Sequence, residues 1–200
     1  CEKPKGYFFI PGQASVVGIH LKGWEMEKRP FTFTSLQNAP YLEFMIKIYK
    51  EHNGVTNKLN SLRSGDELII GDVWGAIEYK GPGCFIAGGA GITPFIAILR
   101  QLKEGNKLDG HQLLFSNKTT HDIILEAEIN AMLGENVIHV ITEEQTSIYH
   151  HGFINEALLK KYINDFKKHF YLCGPPKMVE ALQDCLVKLG ANPDAVVFEK

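Results

Sequence analysis

The stretch CFIAGGAGITPFIAILRQL, residues 84–102, restricts the fold more than any other part of the chain. An apolar run ends in Gly88, Gly89 and Gly91, then Thr93-Pro94, then a second apolar run. In that second run Phe95, Ile98, Leu99 and Leu102 fall at i, i+3, i+4 and i+7, the spacing of one helix face. The stretch therefore predicts strand, tight turn, helix. The dinucleotide fingerprint G-x-G-x-x-G is met at its first two positions by Gly89 and Gly91, and its third position falls on Pro94. Glycines let the backbone turn sharply and approach a ligand with no Cβ in the way. Thr93 suits an N-cap, and Pro94 suits the first helical position, where its missing N–H costs nothing. The free N–H groups of such a helix end suit a pyrophosphate. A ligand-free connection has the same local sequence, and the turn alone does not separate the two.

The residues after this turn repeat its pattern. Strands are expected at Leu113–Phe115, Val137–Ile141, Phe170–Cys173 and Val196–Phe198, with Cys84–Ala87 leading them. A second helical stripe runs through Met178, Leu182, Cys185, Leu186 and Leu189, stopped by Gly190. Alternating strands and helices imply an α/β doubly wound parallel sheet, which binds ligands beyond the carboxyl ends of its strands. YLCGPPKM (171–178) forms a second strand–turn–helix at that edge, with Cys173 at the end of the strand. By itself Cys173 reads as a small residue before a tight turn.

Residues 1 to about 80 have a different texture. ASVVGIH (14–20), YLEFMIKIY (41–49), DELIIG and GAIEY carry β-branched and aromatic residues at strand spacing. Pro11-Gly12, Asn53-Gly54, Ser64-Gly65 and Gly71-Asp72 mark turns between them. Short, closely spaced strands predict an antiparallel β-barrel or sandwich. Gly81-Pro82-Gly83 is the expected linker, which divides the chain into 1–81 and 82–200.

Charge narrows the function classes. A formal net charge of -2 argues against a nucleic-acid binder that works by phosphate neutralisation. No apolar run of about 18 residues predicts a membrane helix, and no signal peptide leads the chain. The four cysteines, Cys1, Cys84, Cys173 and Cys185, form no C-x-x-C, which fits buried thiols in a reducing cytoplasm and not a zinc or iron–sulfur site. Adjacent His150 and His151 do not point the same way and do not suggest a metal. The chain opens on Cys1, so further residues are expected to precede it.

GGAGITP (88–94) and YLCGPP (171–176), with RPFTFTS (29–35) ahead of them, resemble the ferredoxin–NADP reductase superfamily, particularly bacterial ferredoxin or flavodoxin reductase-like proteins. PGQ (11–13), GVT (54–56), SGDELIIGDVWG (64–75) and the terminal FEK (198–200) match in the same order. The resemblance implies an N-terminal FAD-binding β-barrel and a C-terminal NAD(P)-binding unit. It places Arg29, Pro30, Phe31 and Thr32 at the flavin: Arg29 on its diphosphate, Phe31 against the ring, Thr32 at N5. A guanidinium offers bidentate donors to a phosphate, and a hydroxyl supplies one donor to the redox nitrogen. Phe31 replaces the more usual Tyr and so keeps stacking without the phenolic hydrogen bond. Gly54, Val55 and Thr56 resemble the second flavin-phosphate element, although one residue shorter than the common form. Only about ten residues precede Pro11, so the barrel is expected to lack its first strand.

The implied reaction carries a hydride from nicotinamide to flavin, and electrons onward to a soluble carrier such as ferredoxin, flavodoxin or an oxygenase component. Thr32, Cys173 and Glu199 would stand at the reacting atoms. Gly89, Gly91, Thr93, Pro94, Gly174 and Pro175 would hold the nicotinamide nucleotide. No C-x4-C-x2-C segment is present, so no fused ferredoxin domain is expected. A non-catalytic electron-transfer or regulatory subunit with the same fold is the rival reading. A flavin-free dehydrogenase would leave Arg29–Thr32 unexplained. After the second nucleotide-unit strand, LLFSNKTTHD (113–122) puts Ser116, Asn117 and Lys118 where an NAD-selective domain has an acid. This favours NADPH over NADH, with Asp122 and Glu126 opposing.

Overall fold

A computed structural model describes residues 1–48 and 52–198. The N-terminal part holds β1 (Ala14–Ile19), β2 (Arg29–Thr32), α1 (Val55–Leu59) and β3 (Leu68–Trp74). These strands form an antiparallel three-stranded sheet in the order β2-β1-β3, with Ala14 opposite Thr32 and Ser15 opposite Phe31. Its core is aromatic: Phe9 stacks on Phe33 at 4.2 Å, and Leu42 is buried with them.

Among the described residues this is a sheet with two isolated bridges, not a closed barrel. The strand expected at 41–49 makes only the bridges Glu2 to Tyr41 and Phe33 to Phe44 over its described part; Tyr49 lies outside the described residues. Bonds outside a regular ladder hold it instead: the Glu43 N–H donates to the Ser35 hydroxyl, and the Leu42 N–H to the Cys1 carbonyl. GAIEY (75–79) is likewise no strand. Gly75 turns the chain at φ +141°, and Ile77 then inserts into the core of the following unit.

The second part contains β4 (Gly83–Gly88), α2 (Thr93–Glu104), β5 (Gln112–Asn117), α3 (Glu126–Leu133), β6 (Val137–Ile141), β7 (His150–His151), α4 (Glu156–Tyr162), β8 (His169–Cys173), α5 (Pro176–Lys188) and β9 (Val196–Phe198). All five expected strands are present. They belong to a six-stranded parallel sheet in the order β7-β6-β5-β4-β8-β9. The chain runs outward from β4 to β7, then returns to the other side of β4 for β8. The order therefore reverses between β4 and β8, whose carboxyl ends form a topological switch point.

Strand alternation divides the core into two layers. Phe85, Ala87, Leu113 and Phe115 pack with Phe95, Ile98, Leu99 and Leu102 of α2 and with Ile129 and Met132 of α3. Cys84, Ile86, Leu114 and Leu172 pack on the opposite face with Leu159 of α4 and Val179, Leu182 and Leu186 of α5. Each large apolar side chain buried in these layers contributes roughly 1.5–3 kcal/mol against the cost of ordering the chain. Cys84 is buried as expected, whereas Cys1 is exposed and Cys173 and Cys185 are half-buried. Among the described residues no helix is long and apolar enough to cross a membrane.

Candidate functional site

A cavity of about 970 Å³ opens over the carboxyl ends of β4, β5, β6 and β8 and reaches the edge strand β2. Two glycine turns form its floor. Gly88–Gly89-Ala90-Gly91-Ile92 leaves β4 as a single 3-10 turn, and α2 begins directly after it. Gly89 has φ +53°, with nothing within 4 Å of where a Cβ would stand. At Gly91 a Cβ would lie 2.2 Å from the Cys173 carbonyl oxygen. At Gly88 it would meet Met178 Sδ at 2.8 Å, and at Gly174 the Met178 Cε at 2.6 Å. Gly88, Gly91 and Gly174 thus let the two turns interlock, and Gly89 opens toward the cavity.

The helix start differs from the expected one. Ile92, not Thr93, is the capping residue, and the Thr93 hydroxyl donates to the Ala90 carbonyl at 3.0 Å. Pro94 occupies the second helical position and is buried. The helix starts directly after the 3-10 turn, one residue earlier than expected, which moves both residues one position into it. At the second turn Pro175, at φ -54° and ψ 135°, caps α5 and Pro176 opens it.

Of the residues expected to hold flavin, Pro30, Phe31, Thr32 and Thr56 line the cavity. Arg29 does not. It is exposed, and its Nη1 donates to the Lys28 carbonyl at 2.7 Å. Gly54 caps α1, and Val55 is buried beneath it, so neither reaches the cavity. The expected turn at Asn53-Gly54 is thus the entry to a helix. Gly89, Gly91, Thr93, Ser116, Lys118, Cys173, Gly174 and Pro175 all line the same cavity, and Pro94 does not. Glu199 lies outside the described residues.

The wall also contains Asn117, Lys177 and Met178 from the quoted motifs, and residues that motifs could not reveal: Met45, Ile46 and Lys47 from the irregular segment, and Thr142, Glu143 and Phe153. Lys47 donates to Asp122 Oδ1 at 2.8 Å. Asp122 also accepts from the Thr119 amide and hydroxyl. Lys47, despite some desolvation, holds the Asp122 carboxyl below its ordinary value. Lys118 pairs with Glu143 at 2.7 Å, which raises the lysine. Asn117 is 4% exposed, and among the described residues neither atom of its side-chain amide has a partner. A buried amide without partners costs roughly 1–3 kcal/mol, so the wall stores unused hydrogen-bonding capacity.

His150 and His151 are not neighbours in space as ligands: one approaches the Tyr162 hydroxyl and the other the Glu144 carbonyl. Among the described residues no group of three or more His, Cys, Asp or Glu side chains is placed to hold a metal.

Residues 85–184 match the family model described as oxidoreductase NAD-binding domain. The chain is 27% identical to the reductase component of propane 2-monooxygenase from Rhodococcus jostii strain RHA1, covering 99% of this chain and 57% of that protein. It is 28% identical to the electron transfer component of toluate 1,2-dioxygenase from Pseudomonas putida, covering 96% of this chain and 58% of that one. The chain thus spans little more than half the length of either relative. In fold it matches a ferredoxin NADP+ reductase from Neisseria gonorrhoeae, solved with FAD and NADP, at a TM-score of 0.81. There the identity is 21%, over 99% of this chain and 89% of that one.

Proposed function

Because the chain belongs to the oxidoreductase NAD-binding domain family and has the ferredoxin–NADP reductase fold, we propose that it is a flavin-dependent reductase. In this reading it passes electrons from NADPH or NADH through FAD to a soluble carrier in the cytoplasm. One observation carries it: Phe31 and Thr32 of the antiparallel sheet line the same cavity as the glycine turns of the parallel sheet. A flavin held at β2 and a nicotinamide held at β4 and β8 would therefore share one space.

The residues suit both groups. Residues 1–81 would carry the flavin as part of a barrel, with Phe31 as the flat apolar face, Thr32 as a donor, and Thr56 toward the phosphates. Residues 82–200 would carry the nucleotide, with Gly89 open to the pyrophosphate, Cys173 at the nicotinamide, and Asn117 offering its unpartnered amide. When bound, flavin supplies the step from two-electron hydride chemistry to one-electron transfer, which the side chains cannot perform. The protein's part is to hold and orient. Arg29 would reach the flavin diphosphate only after leaving the Lys28 carbonyl. Glu199 is retained as a candidate near the flavin edge.

Lys118 would meet a 2′-phosphate, but Glu143 already holds its charge. The preference for NADPH would therefore be small. Two relatives are reductase or electron-transfer components of oxygenases, which favours an oxygenase component as the acceptor over ferredoxin or flavodoxin. The deciding experiment is reconstitution with FAD or FMN, then release and chromatography of the retained flavin, then anaerobic reduction by each nucleotide. Retained FAD, bleached by NADH or NADPH, is expected. Retention of FMN alone would refute FAD, and no retained flavin would refute a flavoenzyme.

A further inference from the structure

Arg100 lies on α2 seven residues after Thr93, two helical turns from the cavity and outside its lining. Its guanidinium is one-fifth exposed and donates four hydrogen bonds. One edge forms a fork on Glu128 of α3, with Nε to Oε1 at 2.6 Å and Nη2 to Oε2 at 2.9 Å. From the other edge Nη1 donates to the Thr34 carbonyl at 2.8 Å and to Glu43 Oε1 at 2.6 Å. The Thr34 hydroxyl donates to the same Glu43 oxygen at 2.7 Å. Thr34 is fully buried and stands two residues after Thr32.

We propose that Arg100 is the positioning residue that sets the distance between the two halves of the cavity. Glu128 orients the guanidinium, and the guanidinium holds the strand end carrying Thr32 against the helix that leaves the glycine turn. A planar fork with several charge-assisted bonds fixes direction as well as distance, which a lysine cannot do. Lys47 and Asp122 form a second tie beside the cavity. The linker is pinned as well. Tyr171, buried in β8, accepts from the Lys80 and Gly81 N–H groups and donates to the Gly81 carbonyl. With the hinge held there, Arg100 governs the remaining freedom, the tilt of one unit over the other.

This rests on the reductase reading, under which reacting atoms must approach to about 3–3.5 Å and a misplacement of about 1 Å costs about 100-fold in rate. The test uses the flavin-loaded full chain in three variants: Arg100→Met, Arg100→Lys and Glu43→Gln. Stopped-flow flavin reduction should slow about 100-fold in Arg100→Met, with the nucleotide dissociation constant within about threefold. Arg100→Lys should recover only part of the rate, and Glu43→Gln should lose about tenfold. Independently of turnover, amide hydrogen exchange at Thr34 and Glu43 should accelerate in Arg100→Met while Phe85 and Leu172 stay protected. If Arg100→Met does not fold, Glu43→Gln and Arg100→Lys carry the test alone. Reduction rates within twofold of the parent in those variants, or unchanged exchange at Thr34 and Glu43, would overturn the proposal. A parent protein that no nucleotide reduces would refute the reductase reading, and the exchange measurement would still decide whether Arg100 holds the two units together.

Discussion

Gly91→Ala should damage this protein far more than Gly89→Ala, although the two glycines belong to one turn. A methyl at Gly91 would stand 2.2 Å from the Cys173 oxygen, 2.4 Å from its carbonyl carbon and 2.7 Å from the Gly174 nitrogen. Reaching an ordinary contact of 3.4 Å means parting the two turns by about 1.2 Å. All three obstructing atoms are backbone, continuous with β8 and α5, so no rotamer change relieves the clash. Overpacking of this kind costs about 1–3 kcal/mol, and the rigid surroundings place it at about 3. In a chain of this size each kcal/mol lowers Tm by about 2–4 °C, so Gly91→Ala should melt about 6–12 °C early. The same displacement moves Cys173, so flavin reduction should slow about 100-fold. Gly89→Ala meets nothing within 4 Å and bears only the strain of φ +53°, about 1 kcal/mol or about 2–4 °C. Its methyl faces the cavity, so KM for the nucleotide should rise. Circular dichroism melts and single-turnover reduction of both variants provide the check. A Gly91→Ala protein that melts within 2 °C of the parent and reduces at the parental rate, to about that precision, would refute the interlocked-turn account.

Thr32→Ala and Cys173→Ala should each slow hydride transfer while the apparent nucleotide dissociation constant barely moves; unchanged rates in both would remove them from the ring contact. Glu143→Gln should raise the ratio of kcat/KM for NADPH over NADH by roughly 1.5- to fivefold, and Lys118→Ala should lower it, since an exposed pair exerts only a modest hold. Burial raises the Glu43 carboxyl, but the Arg100 and Thr34 hydrogen bonds outweigh it; Arg100 outweighs burial at Glu128 too, so both lie below the ordinary carboxylate value of 4.5. Their stabilising contribution is therefore full above pH 4.5 and fades as pH falls through the lower folded values. Chemical denaturation between pH 6 and about 3 should show that decline in the parent and a shallower one in Glu43→Gln.

The parallel sheet was legible in the sequence because its determinants are local. An apolar run, a glycine turn and an i, i+3, i+4 stripe identify α2, α5 and five of the six strands whatever the partner, and those five lie where the pattern puts them, whereas β7, α3 and α4 were not singled out. The antiparallel part was less legible. YLEFMIKIY has the composition of a strand, yet residues 41–48 find ladder partners only at isolated points, since pairing depends on which edges remain free. Composition does not encode that.

The candidate site divides in the same way. Glycines announced the two turns, because a residue without Cβ leaves its mark in the sequence. That Gly88, Gly91 and Gly174 serve the packing of one turn on the other, and that Gly89 alone of the four has open space before it, emerged only from the fold. Lys47 and Glu143 carry no local signature, and nothing local pairs Lys47 with Asp122 or leaves the Asn117 amide unpartnered. They share a wall because the sheet brings residues from distant segments to one edge. Arg100 reads as one polar position on a helix face, and its Thr34, Glu43 and Glu128 partners are 28 to 66 residues away. Local sequence determined the two glycine turns, the helices α2 and α5 and the buried strands of the parallel sheet, since those patterns show within a few residues. Which of those segments meet, and which charges neutralise one another, was decided by tertiary packing, where contact depends on position in space and not on separation along the chain.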